Sequence, residues 1–284
     1  MRMVATRRAV FWGWTMAAVL SGCGGGQDES STAVQPPAAF VPGQGAPAQT
    51  PANVADNRLN QSFEDATLHD PPNPECTLPE VTKTKKSVGK LYEAVVAQWA
   101  KVLFVTAAGK KLVYTATITT DLGKVQIALW PEIAPNHVRN FVALARAGYY
   151  DGLEFDRAVS REFDDDRGHY FQYVEAGCPV GSGEVNYGSI GYWLKPEFST
   201  AVRHEACTIG AWHGEEVESA ACKFYINLGK AEWMDGNFTL FGKITQGLEV
   251  VQAIHAKPVR EDEFRDRPVT PVVMRSVTID CREQ

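Results

Sequence analysis

A chain of 284 residues, 44% hydrophobic and 22% charged, has an ordinary globular composition and room for one large domain with extensions. Its net charge is −6, and three of its basic residues (Arg2, Arg7, Arg8) lie in the first ten, so no basic stripe remains to bind nucleic acid. The six cysteines, at 23, 76, 178, 207, 222 and 281, form no CxxC pair, and no His/Cys cluster has zinc-ligand spacing, which argues against a structural metal.

The chain begins "MRMVATRRAVFWGWTMAAVLSGC", a basic start followed by an apolar run from Ala9 to Leu20. That run is too short to span a bilayer but suits the core of a signal peptide. It ends in "LSGC", which resembles the bacterial lipobox. Residues 1–22 are therefore expected to be a lipoprotein signal peptide, and Cys23 the lipidated first residue of the mature chain; an ordinary secretory cleavage near the same place is the alternative. Acyl chains on Cys23 would hold the protein on a membrane of the bacterial cell envelope, on its periplasmic or surface side. Disulfides can persist in that compartment. Residues 23–59 are small, polar and proline-rich. They cannot bury a core and are expected to form a disordered tether.

In residues 60–112, "SVGKLYEAVVAQWAKVLF" places Leu91, Val95, Trp99 and Val102 at helical spacing, which predicts one amphipathic helix in an N-terminal extension packed on the main domain. From residue 113 the rhythm turns to short alternating segments. "LVYTATITT" and "KVQIALW" flank an Asp-Leu-Gly turn at 121–123 and predict a hairpin. "APNHVRNFVALARAGYY" predicts a helix, with Pro135 at its start and Gly148 past its end, burying Val138, Phe141, Val142 and Ala145. Further strands are expected at 153–159, 171–175, 207–211, 223–228, 239–244 and 272–280, and a second helix around 247–256 with Leu248, Val251 and Ile254 on one face. Eight short strands and two helices predict a mainly β domain over 113–284: a closed eight-stranded antiparallel barrel with capped ends.

Several of these segments carry a shared pattern. "APNHVRNFVALARAGYYDGLEFDRAV", "GCPVGSG", "KFYINLGKAEWMDGNFTLFGKITQGLEVV" and "DRPVTPVVMRSVTI" occur in collinear order over about residues 113–281. Together they resemble the cyclophilin-type peptidyl-prolyl cis-trans isomerases. The resemblance implies a cyclophilin barrel acting on Xaa-Pro bonds, with no cofactor and no metal, and with proline-containing polypeptides as partners of a monomer. Rotation about a peptide bond faces a barrier of about 18–20 kcal/mol, because the nitrogen lone pair is delocalised into the carbonyl. A catalyst therefore has to seat the proline ring in an apolar pocket and aim a hydrogen-bond donor at the amide, favouring the twisted state over the planar one.

By the resemblance, Arg157 in "FDRAV" is the catalytic donor. A guanidinium suits the task because it is permanently charged and rigidly forked. Phe155, two residues earlier, is expected on the same side of its strand. Tyr225 matches a pocket-floor phenylalanine, Trp233 and Met234 match the rim, and Ala211 matches an alanine of the groove. Other positions depart from the family pattern. Phe238 replaces a histidine, Glu175 and Lys223 replace glutamines, and Trp212 replaces an asparagine, its bulk narrowing the groove. Gln172 and Tyr173 are the best-aligned occupants of a Phe-Met pair beside a lengthened loop, whose acids Asp164, Asp165 and Asp166 read as a solvated acidic run. Glu175 either holds Arg157 more tightly or lowers its availability. Neighbouring strands in the family fold also suggest a Cys178–Cys222 disulfide. Retained Arg157 favours a slow or narrow isomerase; the departures favour a non-catalytic module that binds proline-containing peptides, and a purely structural lipoprotein domain is a third reading.

Overall fold

The computed structural model describes residues 59–162, 170–260 and 266–284. The expectations for the leader, Cys23, the tether apart from its last residue Leu59, and the acidic run at 164–166 lie outside the described residues. Ten strands occur among the described residues: β1 (Thr67–Leu68), β2 (Leu112–Thr120), β3 (Gly123–Leu129), β4 (Phe155–Glu162), β5 (Tyr170–Ala176), β6 (Trp193–Leu194), β7 (Thr208–Ala211), β8 (Phe224–Asn227), β9 (Leu240–Gln246) and β10 (Met274–Glu283). The helices are α1 (Phe63–Ala66), α2 (Val88–Trp99), α3 (Pro135–Arg146) and α4 (Leu248–His255). Eight strands make one curled antiparallel sheet in the order β10-β2-β3-β9-β7-β8-β5-β4, and β1 pairs with β6 apart from it.

The expected closed barrel does not form as a continuous ladder. The edge strands β4 and β10 meet only at their beginnings, through an isolated bridge between Glu154 and Val273 and bonds such as Phe155 N–H to Val272 O, 2.9 Å. The chain running beside the rest of β4 is "DRPVTP", and Pro268 and Pro271 have no N–H to give to a ladder. It is held there by a backbone bond from Ala158 N–H to Asp266 O (2.7 Å) and a side-chain contact to β4 at Asp266, not by a ladder.

Alternation along the strands sends Ala116, Ile118, Val125, Ile127, Phe224 and Ile226 into the main core, where α3 closes over them with Val138, Phe141 and Val142. Helix α3 starts with Pro135 in its first turn and is followed by Gly148 at φ +67°, a left-handed stop that glycine takes without strain. Helix α4 buries Val250, Val251 and Ile254, with Leu248 only half-buried.

Helix α2 is capped by the Ser87 hydroxyl and buries Val88, Leu91, Val95 and Trp99. Those side chains, with Phe63, Val102 and Phe104, belong to the same buried cluster as Phe141, so this segment shares the core of the sheet. Arg139 of α3 shows the dependence most directly. Its guanidinium is buried between the rings of Trp99 (5.5 Å) and Phe104 (4.9 Å) and donates to the Val102 and Leu59 carbonyls. A buried cation needs such partners, and here the preceding segment supplies them.

Candidate active site

Strand β4 carries a bulge. Phe155 stands opposite Ala176 and Arg157 opposite Glu175, so two steps on β4 match one on β5 and Asp156 is the extra residue. Arg157 thereby joins the face that Glu175 shares with Tyr225, its partner on β8. Its guanidinium is held at two points, donating from Nη1 to Glu175 Oε2 (3.4 Å) and from Nη2 to Asp266 Oδ2 (3.2 Å). The aliphatic stem lies against Gly183, where φ is +71° and a Cβ would sit 2.8 Å from Arg157 Cγ, so only glycine lets that loop close. Glu175 is fully buried and also pairs with the Lys223 ammonium. Lys223 in turn donates to the Gly183 carbonyl at 3.1 Å.

Beside the guanidinium lies a second, smaller apolar cluster, separate from the main core: Val159, Phe171, Tyr173, Tyr225, Ala231 and Met234, with Trp212, Trp233 and Phe238 packed on it. Tyr225 meets Tyr173 (6.0 Å) and Phe238 (5.9 Å) edge-on, and Trp233 meets Phe171 edge-on at 5.1 Å. Trp233 and Met234 come from a single 3-10 turn, Glu232–Met234. A fixed cationic fork at the edge of an aromatic basin can seat a flat apolar ring and direct a donor at a group attached to it.

Residues 115–279 match the family model described as "Cyclophilin type peptidyl-prolyl cis-trans isomerase/CLD". The chain belongs to this family of isomerases. The peptidyl-prolyl cis-trans isomerase cypE of Dictyostelium discoideum is 28% identical over 149 residues, covering 52% of this chain and 89% of that protein. Peptidyl-prolyl cis-trans isomerase-like 3 of Gallus gallus is 29% identical over 163 residues, covering 57% and 94%. A solved cyclophilin-type isomerase of Cryptosporidium parvum superposes with a TM-score of 0.51 at 18% identity, covering 59% of this chain and 98% of that one, which supports the fold; a second structure of it was obtained in the presence of the dipeptide Ala-Pro.

Within this cyclophilin the structure gathers Arg157, Tyr173, Glu175, Trp212, Lys223, Tyr225, Trp233, Met234 and Phe238 on one face. It does not bring Phe155, Gln172 or Ala211 to them. The bulge reverses the expected alignment of Phe155 with Arg157, and Phe155 points into the main core with Phe224. Ala211 pairs with Phe224 and faces the same core. Gln172 shares the face of Val174, one step out of phase with Tyr173, and reaches Ser160 at 3.3 Å.

Several features of the cyclophilin site were not read from the sequence. Asp266 comes from the segment before β10, more than a hundred residues from its partner Arg157. His204 links the pocket floor to the rim loop, its Nδ1 lying 2.8 Å from Asp235 Oδ1 and its Nε2 2.8 Å from the Tyr225 hydroxyl. Gly210 makes room for that hydroxyl, since a Cβ there would lie 2.2 Å from it. A Gly at 210 with a Tyr at 225 is the one signal that a search for size complementarity could have used. A polar cavity of about 450 Å³ shares His204 and Asp235 but none of the aromatic walls, and so lies apart from the guanidinium. Finally, His213 stacks on Phe238 at 4.0 Å, placing an imidazole beside the position where the family pattern has one.

Asp156, the bulged residue, is 1% exposed; its Oδ2 accepts from the Cys178 N–H (3.2 Å), and its Oδ1 has no partner among the described residues. Burial pushes its pKa from 3.8 up to about 7, the charge on Glu175 adds to the rise, and Lys223 and Arg157 oppose it. The folded protein therefore holds a proton that the unfolded chain releases near pH 4. Stability falls as pH rises from about 4 to about 7 and levels off beyond. Asp156→Asn should remove this slope, leaving the variant more stable than wild type at pH 8 and equal to it at pH 4 in urea titrations. A slope that persists in the variant would place its origin elsewhere.

Cys178 and Cys222 do not form the expected bridge; both stand as buried free thiols. The β5–β8 register would set them opposite one another two positions past Ala176 and Phe224, but Gly177 (φ +93°) turns the chain out of the ladder. Burial also pushes the Cys222 thiol up to about 12, which keeps it protonated and unreactive. Cys76, Cys207 and Cys281 are free as well.

Proposed function

We propose that the chain is a peptidyl-prolyl cis-trans isomerase acting on Xaa-Pro bonds of envelope proteins, as a monomer held to a membrane through lipidated Cys23, and that it is weak or narrow in substrate choice. The observation that carries the catalytic part is Arg157: a guanidinium fixed by two carboxylates at the edge of an aromatic basin. Two of its five N–H donors are engaged by Glu175 and Asp266, which leaves others to meet the prolyl nitrogen as the amide twists and its lone pair localises. No bond is made or broken. The rate gain comes from a donor aimed at charge that exists only in the twisted state, in a site built largely of aromatic rings. Glu175 and Asp266 act as positioning residues.

The test is exchange NMR on a panel of Xaa-Pro peptides. Line broadening that depends on enzyme supports the reading, and saturable binding with no exchange across the panel replaces it with a proline-binding module. Trp212, lying over the guanidinium at 5.8 Å, favours that second reading.

The leader supports the envelope location. Expressed in a bacterial host, the mature protein should partition into detergent and begin at an acylated Cys23. A water-soluble mature chain that starts elsewhere, or carries unmodified Cys23, would refute the anchor.

A further inference from the structure

We propose that Trp212 occupies the proline seat of the free protein and must be displaced by ligand, which makes it the residue that sets what the site accepts. The proposal rests on reading the aromatic basin as a proline seat. Trp212 follows β7, its backbone N–H bonded to the Lys223 carbonyl at 3.1 Å. From there the indole enters the basin. It stacks on Tyr173 (5.8 Å, 30°), lies tilted against Phe238 (5.9 Å, 31°) and meets Tyr225 edge-on (6.4 Å, 86°). The Arg157 guanidinium carbon is 5.8 Å from the ring centre and the Lys223 ammonium 5.6 Å. Aromatic centroids at these spacings are in direct contact.

One ring that touches the floor, both neighbouring walls and the catalytic cation stands in the space those groups enclose. Protein interiors are close-packed, so a pyrrolidine ring cannot share that space.

The fit is also imperfect. Trp212 Nε1 is shielded from solvent and has no hydrogen-bond partner among the described residues. A buried donor left unpaired opposes the closed arrangement, and swinging the indole out returns it to water or to a peptide carbonyl. Displacement is therefore feasible but subtracts from affinity. Only ligands whose own contacts exceed those of the indole will bind well.

The experiment measures affinity and exchange separately in wild type, Trp212→Ala and Trp212→Asn, with an Ala-Pro-containing tetrapeptide as probe and circular dichroism to confirm folding. Calorimetry should show the probe binding roughly tenfold or more tightly to both variants than to wild type. Unchanged or weaker affinity in folded variants overturns the proposal, even if wild type isomerises the peptide. Tighter binding without exchange in any of the three proteins keeps Trp212 as the occupant and overturns the isomerase reading instead. Should both variants fail to fold, the wild-type indole resonances decide. The Trp212 indole N–H, identified by segmental labelling, should shift on saturation with probe, and one that stays fixed refutes displacement.

Discussion

Arg157→Ala is expected to slow exchange of bound Xaa-Pro peptide by roughly 100- to 1,000-fold, the loss typical of an oriented donor worth ~2.7–4 kcal/mol in a transition state. Affinity for the peptide should change little, because the aromatic walls do the seating and the guanidinium acts mainly once the amide has twisted. Arg157→Lys should recover little of the loss. An ammonium keeps the charge but cannot span Glu175 and Asp266 with a planar fork while presenting a further N–H to substrate. Exchange rate per bound peptide is the quantity to compare. Equal rates in wild type and Arg157→Ala, with binding intact, would mean that the basin holds proline without catalysing its rotation.

Lys223→Met should destabilise the fold by about 3–5 kcal/mol, the usual consequence of removing one partner from a buried ion pair. Glu175 is 0% exposed and Lys223 2%, and Asp156 is buried in the same cluster. Without the ammonium, Glu175 keeps only the 3.4 Å contact to Arg157, and the Gly183 and Glu184 carbonyls lose their donor. Lys223→Met with Glu175→Gln should recover part of the loss, since the uncompensated charge is then gone. Urea unfolding at pH 8 with a common m-value gives the comparison. A loss under 1 kcal/mol for Lys223→Met would show that the cluster is solvated rather than buried.

The two expectations lie at different depths in the sequence. Arg157, Tyr225, Trp233, Met234 and Phe238 were legible because each sits in a short motif that matches the family pattern position by position. The eight sheet strands and the helices α2, α3 and α4 were legible for a local reason: apolar spacing, Pro135 at a helix start and Gly148 past its end. Phe155 and the closed barrel were not. A bulge adds one residue and reverses facing, and whether two edges meet depends on the chain that runs between them, here one with Pro268 and Pro271.

By itself, then, the sequence determined the family, the order of strands and helices, and the type of side chain at the donor, floor and rim, because those are properties of short windows. Tertiary structure alone decided that Asp266 holds Arg157, that His204 ties Tyr225 to Asp235, and that the Trp212 indole lies in the basin. Each of those contacts joins residues from different elements. Their distances follow from how a curled sheet brings β4, β7, β8 and the loop after β8 together, and no spacing along the chain encodes that.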